Sequence, residues 1–345
     1  MTDLVKKLYK DKTLSKDEFI ELINSNADTR EELRALAEKI RIENYGNDIF
    51  IRGLIEFTNY CKQNCLYCGI RRDNKNCRRY RLSLDEIMSC CAEGYKLGFR
   101  TFVLQGGEDP YFTDERICEI IETVKGKYPD CALTLSIGEK PRESYQRYFD
   151  RGADRYLLRH ETADKNHYEK LHPKSQKFEN RIRCLYDLKE IGFQVGCGFM
   201  VGSPYQTVQN LADDLMFIKE LNPQMVGIGP FIHHKDTEFK NASDGTLEQT
   251  LIMLSIIRIM IPKVLLPATT ALATIHPRGR ELGIQAGANV VMPNLSPVKV
   301  RGDYQLYDNK VCTGEESAQC KNCLEKRIES VGCKIAVSRG DSKNQ

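Results

Sequence analysis

The sequence predicts an α/β fold, a TIM-type (βα)8 barrel with an N-terminal helical extension. Three observations carry that prediction. Short apolar runs alternate with longer helix-periodic stretches from residue 49 onward, the pattern of repeated βα units around a parallel sheet. Eight such runs occur, the number that a closed barrel requires. Glycines and charged residues gather just after several of the runs, at the strand ends where a barrel carries its chemistry. An open three-quarter barrel gives nearly the same pattern, and the count favours closure.

Taken in chain order, the first fifty residues read as two or three amphipathic helices. Thr13-Leu14-Ser15 opens one, and Asn26 to Thr29 caps the next. This extension is expected to form a lid or plug and not a separate domain. The expected strands are 49–57, 101–105, 132–137, 155–159, 194–200, 225–229, 264–267 and 289–292. Helical periodicity between them covers 84–97, 114–125, 142–151, 179–191, 208–221 and 247–261. The organisation is therefore a helical extension over 1–48, a barrel over 49–300 and a C-terminal segment over 301–345.

Composition narrows the function classes. Lys+Arg of 51 against Asp+Glu of 48 leaves +3 over 345 residues, too balanced for a nucleic-acid or anionic-membrane surface. The charged N-terminal stretch has no apolar signal-peptide core, and no run of about 18 apolar residues offers a membrane span. A cytoplasmic location is expected. Fourteen cysteines in a reducing compartment divide into metal ligands and buried small apolar residues. Cys90, Cys91, Cys118 and Cys184 fall in helical stretches and read as packing residues.

The chemistry concentrates in one loop. Cys61, Cys65 and Cys68 stand as C-x3-C-x2-C directly after the first strand. Three thiolates leave one iron of a cubane iron–sulfur cluster open to a small chelating molecule. Zn²⁺ also accepts three cysteines and a fourth ligand, so spacing alone leaves both metals open. After the second strand, Gln105-Gly106-Gly107-Glu108-Asp109-Pro110 is either a plain turn or a close backbone approach to a ligand. Arg155 and Arg159 share strand parity and point to one face, with His160 and Glu161 completing that junction. Arg181, early in the next helix, offers a bidentate partner for a carboxylate. Gly196-Cys197-Gly198 and Gly227-Ile228-Gly229 mark two further strand ends, where glycine commonly means a tight bend.

The stretch IRGLIEFTNYCKQNCLYCGIRRDN, with Tyr67 just before the third cysteine, resembles the signature of radical S-adenosylmethionine (SAM) enzymes. That resemblance implies a [4Fe–4S] cluster on Cys61, Cys65 and Cys68, its open iron chelated by the amino and carboxylate groups of SAM. Reductive cleavage of the sulfonium then gives a 5′-deoxyadenosyl radical. The resemblance further implies that the backbone at Gln105, Gly106 and Gly107 receives the SAM amino group, Glu161 the ribose hydroxyls and Arg181 the carboxylate. Met200 and Ile228 would lie against the adenine.

Pro267-Ala268-Thr269-Thr270, the stretch Gly287 to Asn294, RYLLRHETA and MVGIGPFIHH resemble the [FeFe]-hydrogenase maturases of the HydE group. Biotin synthase and methylornithine synthase share the general plan. Biotin synthase inserts sulfur from a second cluster inside the barrel, which demands further inward cysteines. Cys131 and Cys197 alone do not make that site. The HydE-like reading implies an organometallic iron–cysteine–carbonyl–cyanide substrate, for which Arg52, Thr134, Arg155, Arg159, Thr269, Thr270 and Tyr304 are the candidates. A buried anion needs compensating charge and hydrogen-bond donors. Implied partners are reduced ferredoxin or flavodoxin as electron donor and the other hydrogenase maturases, with no nucleic acid and no membrane. Cys312, Cys320 and Cys323 form a C-x7-C-x2-C group, an accessory site for a second [2Fe–2S] or [4Fe–4S] cluster. Cys333 reads as a buried thiol. Two other readings stand beside this one: a radical mutase of the methylornithine synthase type, and an iron–sulfur carrier or scaffold without catalysis.

Overall fold

The computed structural model describes residues 1–311, 313 and 321–344. Its strands, in chain order, are β1 (Asp48–Ile51), β2 (Gly53–Thr58), β3 (Thr101–Gly106), β4 (Ala132–Ser136), β5 (Arg155–Leu157), β6 (Gln194–Cys197), β7 (Met200–Val201), β8 (Met225–Val226), β9 (Gly229–Pro230), β10 (Val290–Val291) and β11 (Lys334–Ala336). A parallel sheet runs β2-β3-β4-β5-β6-β8. Single parallel bridges, Met225 to Leu265 and Pro267 to Val290, carry the ring onward. β10 then pairs with β1, which leads straight into β2, so the ring closes with eight staves.

Three expected strands are broken. The first divides at Arg52, and the fifth and sixth each divide in two. The seventh survives only as isolated bridges at Leu265 and Pro267. Close packing explains the break between β6 and β7: a Cβ at Gly198 would sit 2.0 Å from the carbonyl oxygen of Gly227. Only glycine allows two staves to approach that closely.

The helices are α1 (Asp3–Asp11), α2 (Lys16–Ile23), α3 (Ala27–Tyr45), α4 (Leu84–Lys96), α5 (Asp114–Lys127), α6 (Arg142–Asp150), α7 (Lys165–Leu171), α8 (Phe178–Ile191), α9 (Val208–Leu221), α10 (Leu247–Met260), α11 (Thr270–Ile275), α12 (Gly279–Gln285), α13 (Val298–Arg301) and α14 (Lys321–Glu329). The N-terminal caps fall where the sequence puts them. Ser15 accepts from the Glu18 amide in a full capping box, and Asn26 accepts from that of Thr29.

The extension is not a lid or plug. α3 packs on α10 and α2 on α9, outside the barrel. The reason lies in α10, whose residues from Thr250 to Met260 are all buried. A helix apolar all round needs cover on both sides, and Leu33, Ala37 and Ile40 of α3 supply the outer cover.

The plug comes instead from the C-terminus. β11 adds to β1, and the following residues close the end of the barrel at which the strands begin. There the Arg339 carbonyl accepts from Thr101 and Arg155, Asp341 accepts from Arg155 and Gln194, and Ser342 donates to the Lys263 carbonyl. Among the described residues no helix is long and apolar enough to cross a membrane.

Candidate radical SAM site

The cysteine loop leaves β2 at the C-terminal end of the barrel and is held by contacts from distant parts of the chain. Arg79 donates to the carbonyls of Ile70, Arg71 and Asn74 at 2.8, 2.6 and 3.2 Å. The Leu66 amide donates to the Leu171 carbonyl, and the Lys62 amide to that of Glu108. All three thiols are half-buried and free of disulfides. The Gln63 amide donates to Cys61 Sγ at 3.4 Å, and Cys65 Sγ donates to Gln176 Oε1 at 3.1 Å.

Burial pushes the Cys61 thiol up and, with Cys68 beside it, pushes Cys65 up further. Burial, then the neighbouring Cys61, pushes Cys68 up to about 12. Such a trio is neutral alone and ionises only against a strong positive centre.

The second stave end meets this loop directly. A Cβ on Gly107 would lie 2.2 Å from the Tyr60 carbonyl oxygen and 2.7 Å from Cys61 Cβ, so glycine is the residue that fits. Gln105 reaches inward, its Nε2 donating to Tyr304 Oη at 3.3 Å. Glu108 turns to the loop, accepting from Gln63 Nε2 at 2.8 Å and from the Glu139 amide at 3.1 Å.

From the fourth stave, Glu161 adopts a positive φ of 67°, and its carboxylate lies 3.1 Å from Arg159 Nη2. That approach lacks hydrogen-bond geometry, so Glu161 Oε2 and Arg159 Nε and Nη2 are buried polar atoms without a hydrogen-bond partner. Arg181 is anchored beside them, Nε to Glu139 at 2.6 Å and Nη1 to the Arg159 carbonyl at 2.7 Å. Met200 packs in one apolar group with Leu66, Tyr67, Leu171 and Phe231. Tyr67 Oη lies 3.3 Å from His172 Nε2, and burial pushes that imidazole down to about 3. Ile228 is buried in the main core.

The substrate candidates divide into two groups. Thr270 lines a cavity of about 480 Å³ with Leu54, Asn294, Lys310 and Cys323, and Thr269 Oγ1 is a buried oxygen without a hydrogen-bond partner. Tyr304 is buried under Lys310, which also pairs with Glu56.

Arg52, Thr134 and Arg155 lie together elsewhere, around a small void in the lower barrel. Arg155 opens its strand and is in register with Thr134 in the middle of β4 and with Gln194 at the start of β6, about 13 Å along its stave from Arg159 at 3.3 Å per residue. It is ion-paired to Asp341 at 2.6 Å. The structure therefore corrects its reading as a substrate-binding cation: Arg155 fastens the C-terminal plug. Arg52 reaches Met225 Sδ at 2.8 Å, with Nε and Nη2 unpartnered. Burial and the like charge of Arg155 push its guanidinium well down.

Cys131 and Cys197 are buried in the hydrophobic core, and Cys333 is buried as well. Cys323 is exposed on α14. Cys312 and Cys320 lie outside the described residues. Sequence reasoning missed Arg79, Glu139, His172 and Gln176. Glu139 follows the third strand directly, a strand-end carboxylate that was available as a signal.

A model described as the radical SAM superfamily matches residues 55–218. Over 313 residues the chain is 48% identical to the [FeFe] hydrogenase maturase subunit HydE of Thermotoga maritima, covering 91% of this chain and 89% of that protein. The chain belongs to the radical SAM superfamily. It is a radical SAM enzyme also 30% identical over 327 residues to a 3-methylornithine synthase of Methanosarcina acetivorans, covering 94% of this chain and 91% of that protein. The crystal structure of methylornithine synthase superposes with a TM-score of 0.83 at 27% identity, covering 97% of each chain. The [FeFe]-hydrogenase maturase HydG has the same fold, with a TM-score of 0.82 at 20% identity over 97% of this chain and 75% of that one.

Radical SAM enzymes imply a [4Fe–4S] cluster and SAM, and the residues present fit both. Three disulfide-free thiols sit on one loop, and Gly107 packs against that loop at Tyr60 and Cys61, where a Cβ would clash. The unpartnered Glu161 and Arg159 atoms supply an acceptor and donors for a polar ligand beside them.

Proposed function

We propose that this chain reductively cleaves SAM and acts in maturation of the [FeFe]-hydrogenase H-cluster on an iron–cysteine–carbonyl–cyanide precursor. The observation that carries the reading is the juxtaposition of the cysteine loop, Gly107 and the unpartnered Arg159–Glu161 pair at one barrel end. Cys61, Cys65 and Cys68 would hold the [4Fe–4S] cluster, which supplies a one-electron reductant and an open coordination position. Gln105, Gly106 and Gly107 offer backbone to the SAM amino group, Glu161 accepts from the ribose, and Met200 and Ile228 offer apolar contact to the base. Arg181, already shared between Glu139 and the Arg159 carbonyl, adds positive charge for the carboxylate.

On the substrate side, Arg159, Thr269, Thr270 and Tyr304 are the residues this reading assigns to the precursor, Arg159 for charge and the hydroxyls as hydrogen-bond donors. Arg52 and Thr134 supply donors deeper in the barrel, behind the Arg155 plug contact. Burial of the walls keeps water from a radical. Other maturases are the expected partners, and a second cluster at Cys312, Cys320 and Cys323 is an accessory feature of this reading.

The test is anaerobic reconstitution, reduction and product analysis. Formation of 5′-deoxyadenosine and methionine supports SAM cleavage, and its absence refutes it in favour of a passive cluster carrier. Likeness to methylornithine synthase favours one alternative, a mutase acting on lysine. Conversion of lysine to methylornithine would overturn the maturation reading, while cleavage without that product supports it.

A further inference from the structure

The proposed cluster needs an electron from outside, and the structure offers one surface in direct touch with its cysteines. A cleft of about 640 Å³ runs between the cysteine loop and the start of α8, with Gln63 and Gln176 in its lining. Both touch the proposed ligands: the Gln63 amide bonds Cys61 Sγ at 3.4 Å, and Gln176 Oε1 accepts from Cys65 Sγ at 3.1 Å. A partner seated there would stand one residue away from two of the three thiols.

The lining of the cleft also carries an excess of positive charge. Of its three carboxylates, Glu108 and Glu139 are only 6% and 9% exposed and are turned inward, to Gln63 and to Arg181, and Glu143 alone is exposed. Its cations are more numerous, Lys62, Lys140, Arg142, Lys177 and Arg183, of which Lys62 pairs with Glu108 and Arg183 with Asp187. Lys62, Lys177 and Arg183 are exposed, and no ion pair to Lys140 or Lys177 occurs among the described residues. The chain as a whole carries only +3, so this collar is a local feature and not a reflection of net charge.

We infer that this cleft is the docking surface for an acidic one-electron carrier protein, which delivers its electron to the cluster past Gln176 and Gln63. This rests on the reading of Cys61, Cys65 and Cys68 as cluster ligands. In the step itself the carrier loses one electron and the cluster gains it, with no bond made or broken. Complementary charge fixes orientation and speeds encounter, and its effect weakens with salt.

The direct test is binding, measured by calorimetry on the iron-loaded full chain with an oxidised acidic [2Fe–2S] ferredoxin as probe, at low and high ionic strength. Lys140→Glu with Lys177→Glu should weaken binding at low salt by about tenfold or more and flatten its salt dependence. The same reversal at Lys219, on α9 and away from the cleft, should have little effect. Lys177 precedes α8 as its N-cap, where a carboxylate favours the helix, and Lys177→Ala with Lys140→Gln gives a neutral pair that should weaken binding less.

Equal affinity in the variant and the parent, or an equal loss from the Lys219 reversal, would overturn the assignment. Dithionite-driven SAM cleavage, which needs no carrier, should be unchanged in the double variant. A fall there as large as in the carrier-driven rate would overturn the docking role in favour of a structural one. Failure of dithionite-driven cleavage in the parent would instead refute the cluster reading itself.

Discussion

Gly107 and Glu139 show how single residues set this site. Gly107→Ala forces a Cβ against the Tyr60 carbonyl and Cys61 Cβ, and such overpacking typically costs about 1–3 kcal/mol. The cysteine loop should shift, so the variant should lose iron on desalting faster than the parent, as an iron assay would detect. Glu139→Ala leaves the Arg181 guanidinium buried and without its anion. Breaking a buried pair from one side costs about 3–5 kcal/mol, which denaturant unfolding should register. Cys61, Cys65 and Cys68 were legible because their chemistry lies within eight residues of sequence. Gln176 was not, since its contact with Cys65 spans 111 positions and nothing local announces it. The same holds for the clamp by Arg79, whose targets are carbonyls and leave no mark in side-chain pattern.

At the scale of elements, helices were easier to read than strands. The stretch 208–221 emerged with its bounds unchanged, because caps and a helical period mark both ends. Staves shortened by glycine lost their regular pairing, as between β6 and β7, and sequence alternation cannot see such close approaches.

Arg155 is instructive. Even spacing grouped it with Arg159, yet parity cannot say which end of a barrel is open. The partner that claims it, Asp341, arrives from 186 residues away.

The plug yields its own prediction. Burial alone would raise the Asp341 carboxyl, but the Arg339 hydrogen bond and the Arg155 guanidinium outweigh it and hold it well below its ordinary 3.8. The unfolded chain therefore takes up a proton first, and the stability from this contact is complete above about pH 4 and lost as pH falls below 3.8. Hydrogen exchange should show residues 334–344 loosening in that window before the barrel. Asp341→Asn should loosen them at neutral pH, at a cost of about 1–3 kcal/mol for a half-exposed charged hydrogen bond.

Across the whole molecule, the closed ring makes two ends with different tasks. One end is sealed by the C-terminal segment against Arg155, Gln194 and Thr101. The other carries the cysteine loop, the Arg159–Glu161 junction and a cavity of about 480 Å³. The alternation of elements foretold the barrel, because each βα unit buries its own apolar face. Which end the tail would close was not foretold, since a few polar residues beyond the last strand carry no periodic signal.

The central claim is that three thiolates hold a cluster with one iron left for SAM. Electron paramagnetic resonance of the anaerobically reduced protein, recorded with and without SAM labelled with ¹⁷O or ¹⁵N at its methionine end, tests it most directly. The account predicts a [4Fe–4S]⁺ signal that shifts on adding SAM, with hyperfine coupling to the label. A cluster signal indifferent to SAM, or no paramagnetic cluster in protein that retains its metal, would contradict it.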